Sequence, residues 1–85
     1  MSGMHSIGLI EVSSVAVGYP VQDAMLKAAK VQLLLARTIC AGKFLIVVGG
    51  EVAAVDTSVA AGVAKAGPAL VEHRSIRRVH PSVFP

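Results

Sequence analysis

The chain has no tryptophan, one tyrosine and two phenylalanines in its 85 residues. Single-strand nucleic-acid binders stack bases on aromatic rings, so that platform is missing. Charge is also sparse: 15% of residues are Asp, Glu, Lys or Arg, and the net charge is +3. Arg74, Arg77 and Arg78 cluster near the C-terminus. Solvation or a carboxylate on a neighbour accounts for them, and no nucleic-acid partner is expected. A single cysteine, Cys40, excludes an intrachain disulfide. Long apolar runs are missing too. The longest strongly apolar run, Phe44 to Val48, is ended by Gly49-Gly50-Glu51, far short of the ~20 residues that span a bilayer. Met1 to Leu9 lacks a basic start followed by an apolar stretch, so no signal peptide and no membrane are expected. A free thiol then fits a reducing cytoplasm.

No catalytic constellation stands out either, and no enzyme is expected. His5, His73 and His80 have no motif-level spacing to Cys40, so nucleophile and base are not paired. Glu11, Asp23, Glu51, Asp56 and Glu72 are scattered. Gly42-Lys43 is followed by Phe44 where a phosphate loop needs a hydroxyl. Gly49-Gly50 reads as a plain turn.

What the chain has is apolar residue. Counted with glycine and without tyrosine, about 62% is apolar, against a usual 45–50%. At this length the chain forms one domain, with a core over about 5–80 and a tail at 81–85. A domain so small has a marginal core of its own. Copies of the same chain are the expected sink for the surplus apolar surface.

His5 to Val12 reads as a strand. Gly18-Tyr19-Pro20 then punctuates the chain, and Pro20 suits the first position of a helix over 20–29. Val21, Ala24, Met25, Ala28 and Ala29 repeat at helical spacing, and Asp23 can pair with Lys27 four residues on. Val31 to Ala36 and Lys43 to Val48 read as two strands of a hairpin joined by Arg37 to Gly42. Val52, Val55, Val59, Val63 and Ala66 mark a second helix, ended by Gly67-Pro68. Ala69 to Ile76 reads as a fourth strand, and Val79 to Pro85 as a tail. Strand, helix, strand, strand, helix, strand is the split βαβ order of ferredoxin-like α+β domains: one antiparallel sheet of four strands with helices on one face.

Cys40 is the ambiguous residue. One thiol per chain cannot hold zinc or an iron–sulfur cluster alone. Symmetry that gathers several copies on one axis would turn it into a ring of thiols.

Four segments carry a resemblance. Ser6 to Glu11 (SIGLIE), Asp23 to Val31 (DAMLKAAKV), Gly49 to Val55 (GGEVAAV) and Ile76 to Pro81 (IRRVHP) together resemble the bacterial microcompartment domain family, with little need for gaps from about 6 to 82. The resemblance implies a permuted ferredoxin-like fold. It implies hexamers that tile into a shell around enzymes, alongside other shell proteins, with small metabolites passing a pore on the six-fold axis. It places Thr38, Ile39, Cys40, Ala41 and Gly42 at the pore. It places Lys27 and Arg78 at the edge between hexamers. Thr38 to Leu45 and His80 to Pro85 further resemble the first half of a tandem-domain branch of that family, from propanediol-utilising compartments. There the resemblance implies a shared [4Fe-4S] cluster on the pore cysteines. This chain has Cys40-Ala41-Gly42-Lys43 where that branch has Cys-Pro-Gly-Lys. Six thiols on a six-fold axis do not match a four-iron cubane, so no cofactor is required and an unliganded thiol pore is the expectation. The alternative is an oligomeric ferredoxin-like domain that binds a small regulatory ligand.

Overall fold

The computed structural model describes residues 5–77. Six main elements follow in chain order: β1 (Ser6–Val12), α1 (Val15–Ala28), β2 (Gln32–Thr38), β3 (Phe44–Gly50), α2 (Val52–Ala66) and β4 (Leu70–Arg77). Short 3₁₀ turns at Cys40–Gly42 and Gly67–Ala69 complete the path. The sheet order is β2-β3-β1-β4, and every neighbouring pair is antiparallel. This is the expected α+β architecture. The elements stand in the split βαβ pattern's own chain order, so over residues 5–77 the topology is the plain form and not a permuted one.

Period-2 burial shows why β1 and β3 are the central strands. Ser6, Gly8, Ile10 and Val12 are buried on one face of β1, and Phe44, Ile46 and Val48 on the same face of β3. Both helices cover that face. Ile10, Val12, Val21, Met25, Phe44, Ile46, Val48, Val55, Val59 and Ala66 form one continuous core. Burying such side chains stabilises the domain by roughly 1.5–3 kcal/mol each.

Close approach sets the helix positions. A Cβ at Gly8 would lie 2.5 Å from Cγ2 of Val59, so α2 sits directly on β1. Ser58 seals the contact between helices. Its buried Oγ donates to the Met25 carbonyl at 3.0 Å, which satisfies a polar group that would otherwise be costly inside the core. At the far end of α2 the Gly67 N–H bonds the Val63 carbonyl at a positive φ of 54°, so Gly67-Pro68 ends the helix as expected.

The first helix differs from its expected limits. It begins at Val15, not Pro20. Ser14 caps it, its Oγ accepting from the Val17 N–H at 3.3 Å. Pro20 therefore lies inside the helix and forfeits one backbone hydrogen bond. Gly18 is a packing position and not a break. A Cβ there would sit 2.3 Å from the Phe44 ring. Only Gly18, Val21 and Met25 of this helix are fully buried, and Ala28 of the expected face is exposed. On α2 the buried set is Val55, Ser58, Val59, Gly62 and Ala66, while Val52 and Val63 are half-buried. The second strand starts at Gln32 and runs on to Thr38. The expected tail from Val79 onward lies outside the described residues.

Candidate functional site

The β2–β3 hairpin carries the residues that the resemblance places at a pore. Thr38 pairs with Phe44 as the last rung of the ladder. The Ile39 N–H then donates to the Lys43 carbonyl at 2.8 Å, which closes the loop at its neck. Beyond the neck, Cys40–Gly42 makes a single 3₁₀ turn. Gly42 turns the chain back with φ 79° and has no neighbour within 4 Å of its Cβ direction. Glycine is needed there for its backbone angle, not for lack of space.

The turn is anchored below and open above. Phe44, 3% exposed, inserts beneath α1 against Gly18, with the Tyr19 ring 5.3 Å away and tilted by 48°. Lys43 reaches across to Glu11 on β1 at 3.7 Å. Thr38, Cys40 and Gly42 are exposed, and Ile39 is half-buried. The Cys40 thiol is free. From Thr38 to Gly42 the segment has no ionisable group other than that thiol, with Arg37 and Lys43 just outside it. Five site residues named from the sequence thus share one tight turn whose root is fixed in the core. Gly18 and Glu11, which hold that root, carry no signal in the sequence. One is a packing vacancy, and the other is a partner only across the sheet.

Lys27 lies in the last turn of α1, strongly exposed, and pairs with Asp23 at 3.1 Å as the spacing predicts. Arg78 lies outside the described residues. The preceding Arg77 donates to Asp56 at 3.0 Å, which ties the end of β4 to α2.

The donor set of the described residues does not fit a metal or a cluster. Among the described residues no group of three His, Cys, Asp or Glu side chains converges. An iron–sulfur cluster at Cys40 would need thiolates from several copies.

The face of the sheet without helices is the second notable surface. Ile7, Leu9, Leu45 and Val47 lie there half-buried, and Leu35 and Ile76 are 38% and 47% exposed. No helix among the described residues is long and apolar enough to cross a membrane.

Comparison with known proteins gives consistent matches. The family model described as BMC domain matches residues 6–79. The bacterial microcompartment shell protein PduT of Citrobacter freundii is 46% identical over 81 residues, covering 95% of this chain and 44% of PduT. The carboxysome shell protein CcmK2 of Synechococcus elongatus is 34% identical over 79 residues, covering 88% of this chain and 78% of CcmK2. A crystal structure of a microcompartment protein from Desulfitobacterium hafniense superposes with a TM-score of 0.94 at 46% identity, over 96% of this chain and 46% of that one. The chain spans less than half the length of PduT and of that solved protein.

Proposed function

This chain belongs to the BMC domain family of microcompartment shell proteins, structural and not enzymatic, and on that premise we propose that its copies close into a hexameric ring with the 38–42 turn at the central hole. Small metabolites cross the shell through that hole. The rings tile with one another and with other shell proteins around encapsulated enzymes.

The observation that carries this reading is the uncovered sheet face. Ile7, Leu9, Leu45, Val47, Leu35 and Ile76 put apolar surface of adjacent strands on the side that neither helix covers. Such a surface favours a partner over water. A repeated head-to-tail contact between copies closes into a ring when the rotation per step allows it. The hairpin turn supports the second half of the reading. A mouth of Thr38, Cys40 and Gly42 offers hydroxyl, thiol and backbone without fixed charge, and its anchored root keeps it from collapsing.

Native mass spectrometry of the purified chain, followed by electron microscopy of concentrated samples, tests this. Six-chain particles and extended hexagonal layers are expected. A monomer would overturn the proposal. Discrete particles that never form layers would instead favour the ligand-binding oligomer.

A further inference from the structure

Among the described residues β4 is an open sheet edge. β1 pairs along one side, and no strand lies along the other. Val71 to Arg77 are all exposed. An open edge presents unpaired N–H and C=O groups to any strand that fits. A strand charged with one sign repels its own copies. This one carries both signs, two residues apart and on the same face. Glu72 stands opposite Glu11 on β1, and Arg74 stands opposite Leu9. The first pairing sets like charges across the ladder, which is unfavourable. The second gives Arg74 no carboxylate on its inner side, so it turns to Glu72 of its own strand at 2.6 Å. Both side chains of that pair remain exposed, so on the open side each can exchange its partner for the opposite charge of a neighbouring strand.

We infer that β4 is a homotypic docking edge, at which the β4 strands of two copies of this chain pair antiparallel about a two-fold axis at His73. In that register Glu72 faces Arg74 of the other copy, and Arg74 faces its Glu72. Val71 meets Ser75, and His73 meets its own counterpart. Moving the axis by one residue along each strand sets Glu72 against Glu72 or Arg74 against Arg74. Charge thus selects one register. The bulge at Val71, where pairing with β1 slips between Glu11 and Val12, confines the ladder to a few residues. A ladder so short is weak alone and gains from repetition when each copy sits in a larger assembly. The contact is isologous, whereas a ring needs a heterologous one, so it links assemblies and does not close them. It stands whether or not the ring has six members or a pore.

Directed cross-linking of the full chain tests the register. In a Cys40→Ser background, His73→Cys places two thiols on the axis. Directly opposed residues lie about 4.5–5.5 Å apart at Cα, within disulfide reach. Under copper–phenanthroline oxidation a covalent dimer is expected. Val71→Cys alone should give on the order of tenfold less, because its opposite number is Ser75. A mixture of Val71→Cys and Ser75→Cys chains should cross-link. Adding Glu72→Arg or Arg74→Glu to His73→Cys should lower the yield on the order of tenfold. Combining both reversals in one chain should restore it, and so should mixing the two single reversals. Those rescues also show that the variants fold. Equal yields from His73→Cys and Val71→Cys, or yields indifferent to charge reversal, would overturn the inference.

Discussion

Gly18 on α1 and Phe44 at the foot of the hairpin are packed so closely that a Cβ at residue 18 would lie 2.3 Å from the ring and 3.0 Å from the Phe44 Cβ. Neither helix nor strand can give way alone, because Phe44 is also the last rung beside Thr38. Gly18→Ala should therefore destabilise the domain by about 1–3 kcal/mol, as overpacking usually does. Alanine's better helix propensity, worth about 1 kcal/mol, offsets part of that. Gly62 on α2 makes a useful contrast. Its missing Cβ would meet Cδ1 of Ile10 and Cγ of Met25, both on side chains that can change rotamer. Gly62→Ala should cost less. Urea melts of the two variants check the order, and an equal or reversed ranking would show that Phe44 is not the rigid partner.

Buried positions of α2 should separate in the same way. Val59 is 6% exposed, and it lies over Gly8. Val59→Asp places an unpaired charge in the core, a penalty of several kcal/mol, comparable with the ~5–15 kcal/mol that holds a domain together. Val52 is only half-buried at the start of the helix, where a carboxylate also suits the helix N-terminus. Val52→Asp should keep a cooperative melt, and Val59→Asp should abolish it. Circular dichroism melts decide, and a folded Val59→Asp would contradict the packing described.

The contrast between Val59 and Val52 marks what a sequence can carry. Short apolar runs marked the strands and period-3.6 apolar spacing marked both helices, although only β1 and β3 bury an alternating face, while β4 is exposed from Val71 to Arg77. Gly67-Pro68 was legible as a helix end for a local reason, the backbone angle that glycine permits. The start of α1 was not. Gly18 and Pro20 look like breakers, and the Ser14 cap four residues before Gly18 is outweighed by them. Gly18 is there for the volume of Phe44, a residue 26 positions away, and no local rule contains that. Ser58 and Gly62 escaped for a related reason. Their burial serves the Met25 carbonyl and the closeness of the helices, not hydrophobicity. In the candidate site, a connection over Arg37 to Gly42 was readable from Gly42 and its place between two strands, whereas the narrower 38–42 bounds came from the family resemblance. The cross-strand Lys43–Glu11 pair was not.

Lys27 tests the edge assignment apart from stability. Its pair with Asp23 is exposed on both sides, and such pairs contribute about 0.3–0.5 kcal/mol at most. Lys27→Ala should leave the melt and the ring mass unchanged. It should reduce the extent of hexagonal layers seen by electron microscopy. Normal layers from the variant would remove Lys27 from the edge.

Cys40 decides what the turn can hold. Its thiol is free and exposed, and among the described residues no group of three His, Cys, Asp or Glu side chains converges. Any cluster must therefore draw thiolates from several copies, and a four-iron cubane ordinarily takes four. A six-fold ring offers six in one plane, a number and arrangement that do not match. Anaerobic reconstitution with iron and sulfide should then leave the wild-type protein colourless. Alkylation by iodoacetamide should proceed at Cys40 in the assembled state, because the thiol is exposed on the turn that the proposed ring sets at its hole. Cys40→Ser should assemble with unchanged mass, since the backbone of the turn depends on Gly42 and on the Ile39–Lys43 hydrogen bond and not on the thiol. A brown protein with visible charge-transfer absorbance, lost in Cys40→Ser, would reverse this conclusion. It would also require the copies to break six-fold symmetry at the axis, which the mass and the iron content per chain would reveal together.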